Sequence, residues 1–417
     1  MFCEHPDRIL QRIVLLAPHV RQIALQISAF GERGPQEDFN ETIKLKPQTE
    51  IKETPFPAKI ESLSWPLNTK MTAEQFQELQ KITDFSFLRS WTVGCIEDST
   101  LLQTIVNIHP FRQLSRLTLA LFQPEADDQG FWPAAESMFK SLPPLTYLCL
   151  LGAYAPNFLS GAVLCWHGPT LLELKVHKGS HTWTDQDLRR LSGKGQIGPI
   201  FSSQDILEVA GQCPSLRKLW ICLQRYRGLE SDVYAALGRF PCLVELDLVL
   251  NCVPEMGVNK MPITPRDLTE FEKGLIADRW NECLRWFTRD CMINCAIDET
   301  LAKAIFTHIL ANQDARRLLQ LRIHPLYGQR KKYSYNGPGG RNRALHFDFE
   351  FLKLLAPTWT VKLEFLTGLR ATKCVQPRLH PDRFQDDTLS IFKSIWTTEP
   401  DANTWPLDWH SWPLQSV

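Results

Sequence analysis

Gly193, Gly195 and Gly198 are spaced as G-x-G-x-x-G, the pattern whose backbone can approach a dinucleotide pyrophosphate. That chemistry needs an apolar strand directly before the glycines and a helix directly after them. Here the polar, helix-like "DQDLRRLS" precedes them and Pro199 follows, so no nucleotide is expected. Cys291 and Cys295 would share one helical face, with Cys283 near them. No C-x-x-C pair or histidine doublet completes a metal site, so these thiols read as core and no metal is expected. The sequence contains no G-x-S-x-G elbow, P-loop, H-E-x-x-H or kinase motif, so the expectation is a chain that is not an enzyme and carries no cofactor. Lys175, His177, Lys218, Trp220, Glu245, Asp247, Arg322 and His324 offer another chemistry. They set mixed charge around one large aromatic, which suits a protein partner better than a polyanion, whose phosphates want uniform Lys and Arg.

Bringing those residues together requires a repeated element. An apolar residue at positions one, four and six recurs at Val20, Ile60, Leu88, Leu114, Leu145, Leu171, Leu216, Leu243 and Leu318, each counted at position one. Four of the eight gaps between successive starts lie between 26 and 28 residues, and the longer gaps fit a repeat plus an insertion. Pro18, Pro143, Pro169, Pro214 and Pro241 each stand two residues before a first position. Helix-like segments precede, such as "SSQDILEVAGQ" from Ser202 and "SDVYAALGRF" from Ser231, with Ser202 and Ser231 placed to cap them. Proline cannot continue a helix and pushes its predecessor towards extended backbone. The unit therefore reads as helix, proline stop, short strand.

Stacked, such units give an α/β leucine-rich-repeat solenoid, a curved right-handed horseshoe whose strands line one concave sheet. In the "LVELDLVLN" copy Asn251 also follows the last leucine by three residues; the other copies lack it, so the repeats are irregular. Residues four and six of each phrase point inward, so three, five and seven point outward. The outward set is Glu173, Lys175 and His177; Lys218, Trp220 and Cys222; Glu245, Asp247 and Val249; and Gln320, Arg322 and His324. Trp220 is either a partner anchor or covered by an insertion of its own chain.

The irregular repeats, the proline before each strand and the segment "INCAIDETLAKAIFTHIL" from Ile293 resemble the repeat region of fungal F-box and leucine-rich-repeat proteins. The resemblance covers about residues 7 to 370. It implies a substrate-recognition subunit that docks on the adaptor of a cullin ubiquitin ligase through an N-terminal F-box. Residues 6–25, "PDRILQRIVLLAPHVRQIAL", fit either an F-box remnant or a first repeat, and the helix–Pro18–strand grammar favours the repeat. A scaffold unrelated to ubiquitin ligation is the alternative, and an enzyme with an unannounced site is a further one.

The expected organisation is a solenoid over 1–325 with insertions near 28–58, 178–200 and 253–312, the last largely helical. A basic Gly-rich loop follows over 326–344, carrying Arg330, Lys331, Lys332, Arg341 and Arg343. A distorted last repeat and cap spans 345–395, with Pro357 ahead of its strand. The Trp-rich tail of 396–417 holds Trp396, Trp405, Trp409 and Trp412, and either caps the solenoid or binds a partner. Hydrophobic content of 44% and charged content of 22% are those of a globular chain. Lys plus Arg equals Asp plus Glu, 46 each, so no global field favours nucleic acid or an anionic membrane. With no apolar run long enough to span a bilayer and no signal-peptide pattern, the twelve cysteines read as reduced thiols and the expected location is cytoplasmic or nuclear.

Overall fold

The computed structural model describes residues 13, 19–24, 57–65, 69–122, 130–154, 156–177, 200–252, 289–326, 333–336, 342–345, 356–364, 368–373, 392–393, 395–396, 409–411 and 413–414. Outside that set lie the glycine trio, Cys283, residues 28–56, 178–199 and 253–288, most of residues 6–25, the basic residues Arg330, Lys331, Lys332 and Arg341, and Trp405 and Trp412.

Each of the nine apolar phrases becomes a strand that starts two residues after its first position. The chain is of mixed α/β class and divides into two compact units, Met1–Leu171 with Lys178–Gly198, and Leu172–His177 with Pro199–Val417. The first unit holds β1 (Gln22–Ala24), β2 (Ser62–Ser64), β3 (Ser90–Ile96), β4 (Arg116–Phe122) and β5 (Tyr147–Ala153), paired in chain order and parallel. The second holds β6 (Glu173–His177), β7 (Lys218–Gln224), β8 (Glu245–Asn251) and β9 (Gln320–Leu326), again parallel and in order.

Helices alternate with these strands: α1 (Ala73–Ile82), α2 (Ser99–Ile108) and α3 (Phe131–Ser141) in the first unit, α4 (Ser203–Gln212), α5 (Ser231–Leu237) and α6 (Glu299–Ala311) in the second. Four of the six starts are capped by side chains, at Thr72, Asp98, Ser202 and Asp298. Ser202 forms a capping box with Asp205, as its sequence suggests. Ser231 does not cap α5: it is the buried first residue of the helix, and Glu230 occupies the cap position without a capping bond. The Glu230 carboxylate is engaged elsewhere, as described below.

Parallel strands need a crossover each time, and here seven crossovers end in the same backbone device. One carbonyl just before a strand accepts two consecutive N–H groups from the start of the next strand. Leu172 O takes Arg217 N (2.8 Å) and Lys218 N (3.0 Å), Arg217 O takes Val244 N and Glu245 N, and Val244 O takes Leu319 N and Gln320 N. In the first unit the carbonyls of Arg21, Glu61, Arg89 and Ser115 do the same. Behind this ladder the first-position residues Ile60, Leu88, Leu114, Leu145, Leu171, Leu216, Leu243 and Leu318 are all buried, as are Leu219 and Leu246 within the strands. Gly152 (φ 116°) is required where β5 meets β4: a Cβ there would lie 1.8 Å from Leu121 O.

Two expectations change after β9. Pro357 does precede a strand, β12 (Trp359–Glu364), but β12 pairs antiparallel with β9 and forms a hairpin with β13 (Gly368–Lys373), so it does not continue the parallel series. The segment expected to be a loop over 326–344 contains the antiparallel pair β10 (Tyr333–Asn336) and β11 (Asn342–Leu345). Tyrosines in the first of these favour extended backbone, which the basic and glycine composition around them obscured.

The described part of the C-terminal tail packs against its own unit. Phe392 and Trp396 are buried and lie 4.7 Å apart, and Trp396 Nε1 donates to His410 O (2.9 Å). Ser411 donates through its N–H (3.0 Å) and hydroxyl (2.7 Å) to the Asp298 carboxylate, which also caps α6 at Leu301 N (2.8 Å). Burial alone would raise the Asp298 pKa; the bonds from Leu301 and Ser411 outweigh it and hold the carboxyl below its usual value. A lowered pKa gives stability that is present above the unfolded carboxylate range and lost as pH falls through the folded value. Acidification through that range is therefore expected to free the tail. Asp298→Ala should free it at neutral pH, at a cost of about 0.5–2 kcal/mol typical of a lost N-cap. Limited proteolysis checks both: cleavage within 400–417 should appear in the variant and in acid, and equal resistance in wild type and variant would refute the latch.

Candidate functional site

The register of β6 to β9 turns outward residues that are far apart in sequence into rows. The first row is Glu173, Lys218, Glu245 and Gln320; the second is Lys175, Trp220, Asp247 and Arg322. Antiparallel β12 extends them with Lys362 and Thr360. The alternation that buries Leu219, Ile221, Leu246 and Leu248 obliges these residues to face the other way.

Charges on this face meet one another. Lys175 pairs with Glu173 (3.1 Å), Lys218 with Glu245 (2.9 Å) and Arg322 with Asp247 (3.1 Å). With its amide turned to match, Gln320 Oε1 accepts from Arg322 Nε at 2.8 Å and Nη2 at 2.6 Å. Trp220 lies in the middle. The Lys175 ammonium sits over its ring at 5.6 Å, and His324 stacks on it at 5.8 Å and 12°. His324 belongs to β9, two strands from β7, so the indole leans across β8, and His324 Nε2 stands 3.9 Å from Asp247. Lys175, Lys218, Trp220, Glu245, Asp247, Arg322 and His324 are thus brought together. His177 closes β6, with its side chain outside the described residues.

Two outward assignments need correction. Cys222 and Val249 are buried, at 4% and 6% exposure, where position seven was expected to be open. The same level of the first unit is buried too, at Ala120 and Leu151, as is Cys149 one level earlier on β5, with Phe122 and Tyr147 packed against them. On β4, β7 and β8 solvent therefore reaches the first outward positions more than the third, whereas β9 stays half-open along its length. In the first unit the open part is largely hydroxyl, with half-buried Ser62, Ser64, Ser90, Thr92 and Thr118, and Arg116 lies 4.0 Å over Tyr147. Trp220 itself is half-buried, neither a projecting knob nor sealed in the core.

Sequence reasoning missed a second cluster at the end of β7. Arg225 is fully buried; its Nη1 donates to Glu230, and its Nε to Asn294 O (3.2 Å). Glu230 also accepts from Tyr234 Oη (3.2 Å) and Tyr226 N (3.2 Å). Arg227 pairs with buried Asp290 and donates its N–H to Asn294 Oδ1 (3.0 Å). Desolvation would lower the Arg225 pKa, but the Glu230 carboxylate overrides it and the guanidinium stays charged. Burial, reinforced by Glu230, keeps the Tyr234 hydroxyl protonated far above its usual range. Cys252, Cys291 and Cys295 sit beside this cluster, buried, and burial pushes the Cys291 and Cys295 thiols up, which leaves them unreactive. The cluster ties the turn after β7 to residues 290–294. The only sequence signal was a run of charges in "QRYRGLE" immediately after a strand.

Among the described residues no three His, Cys, Asp or Glu side chains are arranged to hold a metal, and no helix is long and apolar enough to cross a membrane. What the geometry offers is a polar, ion-paired strand face with an aromatic centre. No protein-family model matches this chain, and no curated protein sequence matches it.

Proposed function

We propose that this chain is a leucine-rich-repeat solenoid, a curved right-handed α/β horseshoe, that acts as a non-catalytic protein–protein interaction module. Its partner binds the strand face of β6 to β9. The observation that carries this reading is Trp220, held half-exposed between Lys175 and His324 within a lattice of paired charges. A preorganised aromatic loses little side-chain entropy on binding, and rim charges already held in place set register and exclude wrong partners. The sevenfold recurrence of the double-acceptor carbonyl supports the repeat reading. By the resemblance given above, the module is a substrate receptor for a cullin ubiquitin ligase, working in the cytoplasm or nucleus; a scaffold outside ubiquitin ligation is the second reading.

The test is affinity purification of the full chain, with partners identified and then measured one at a time. A ligase adaptor among them supports the receptor, and its absence with a stable partner supports the scaffold. Trp220→Ala should weaken the identified partner by about 2 kcal/mol, roughly 30-fold in Kd, while the thermal transition moves little. Lost stability with unchanged affinity per folded molecule would make Trp220 internal packing and remove the proposed face.

A further inference from the structure

We propose that the outer edge of β13 is a second docking site, which accepts an extended acidic segment of a partner protein as an added strand. This site lies at the sheet edge, where Lys362 and Arg370 continue the first row of the Trp220 face, but strand addition there does not require a partner on Trp220. Among the described residues β13 ends the sheet, and four of its six residues, Gly368, Arg370, Thr372 and Lys373, are exposed. Leu363 N–H bonds to the carbonyl of Leu319, the residue just before β9, so the alternate residues Thr360, Lys362 and Glu364 direct their backbone groups towards β13. Their partners Thr372, Arg370 and Gly368 face back to β12, which leaves the N–H and C=O groups of Leu369, Ala371 and Lys373 aimed at the free edge.

Side chains specify which strand would fit. Lys362 stands directly opposite Arg370 in the ladder, a like-charge pair that costs stability in an antiparallel sheet. Lys362 is exposed, and the Arg370 side chain is 70% exposed. The acid that answers them among the described residues is Glu364, 3.5 Å from Arg370. On the other face of β13, Leu369 and Ala371 are half-buried. An added strand with carboxylates at alternate positions would place one beside Arg370, with Lys362 one strand further in, and small apolar residues between them would meet Leu369 and Ala371. The same cations repel the edge of a second copy, so they select against self-pairing.

The probe is a fluorescein-labelled ten-residue peptide alternating glutamate and valine, titrated with the full chain by fluorescence anisotropy. Saturable binding is expected, weakened about tenfold or more by Arg370→Glu and by N-methylation of alternate peptide amides. Ala371→Pro removes one outward N–H and no bond to β12, so it should leave the thermal transition in place and weaken binding as strongly. Undiminished binding by folded Ala371→Pro or by the N-methylated peptide would mean that charge alone holds the probe, and would overturn strand addition. Equal affinity for a lysine–valine peptide would overturn the acidic specificity. A concentration-dependent dimer lost in Ala371→Pro would show that the edge serves self-association, and would overturn the proposal as well.

Discussion

Glu230→Ala is expected to destabilise the second unit by about 3–5 kcal/mol, measured by urea denaturation, because it strands a charge in the core. Arg225 is 0% exposed and Glu230 is the carboxylate bonded to it. The remaining side-chain contact, Asn294 O at 3.2 Å, is a neutral acceptor, and among the described residues none accepts from Arg225 Nη2. Tyr234 Oη and Tyr226 N would lose their acceptor in the same step. The pair is not expected to be a net source of stability, since desolvating both ions offsets much of their attraction. Arg225→Met combined with Glu230→Leu should therefore recover most of the loss. Failure of the double variant to recover would show that the hydrogen bonds to the turn, rather than the charge, carry the energy. A single-variant loss below about 1 kcal/mol would mean that water reaches Arg225.

That cluster also marks how far the sequence could be read. The apolar phrases were legible because burial on one face of a strand imposes a strict local pattern: every copy from Val20 to Leu318 became a strand, and in the eight copies from Ile60 onward the first-position residue is buried. Helix ends were legible where a proline or capping side chain acts within a few residues, as at Ser202 and Pro214. What failed depends on partners distant in the chain. Arg227 and Asp290 are 63 residues apart, and each alone reads as an ordinary surface charge. The direction of β12 leaves no trace in its own alternation, which is the same for parallel and antiparallel neighbours. Cys222 and Val249 were placed on the correct face, but strand alternation says nothing about what lies above that face. The candidate site was legible residue by residue, whereas its ion pairs and the Trp220–His324 stack required the register of three strands.

Register makes the last prediction specific. Leu246 is fully buried and stands level with Leu219 on β7 and Leu321 on β9, both buried. Leu246→Ala should cost about 2–5 kcal/mol, the lower figure if the neighbouring leucines close over the cavity and the upper if they do not. Leu219→Ala should cost a similar amount, and the double variant should depart from additivity because both cavities open into one layer. The loss should also spread. β8 bonds to β7 and β9 along its length, so hydrogen-exchange protection in all three strands should fall together, as the proposed repeat architecture requires. Protection lost in β8 alone would mean that the strands open independently. The comparison with Trp220→Ala is what separates fold from face: adjacent in sequence to Leu219 but on the opposite side of the sheet, it should change partner affinity and leave exchange in β7 to β9 nearly as it was.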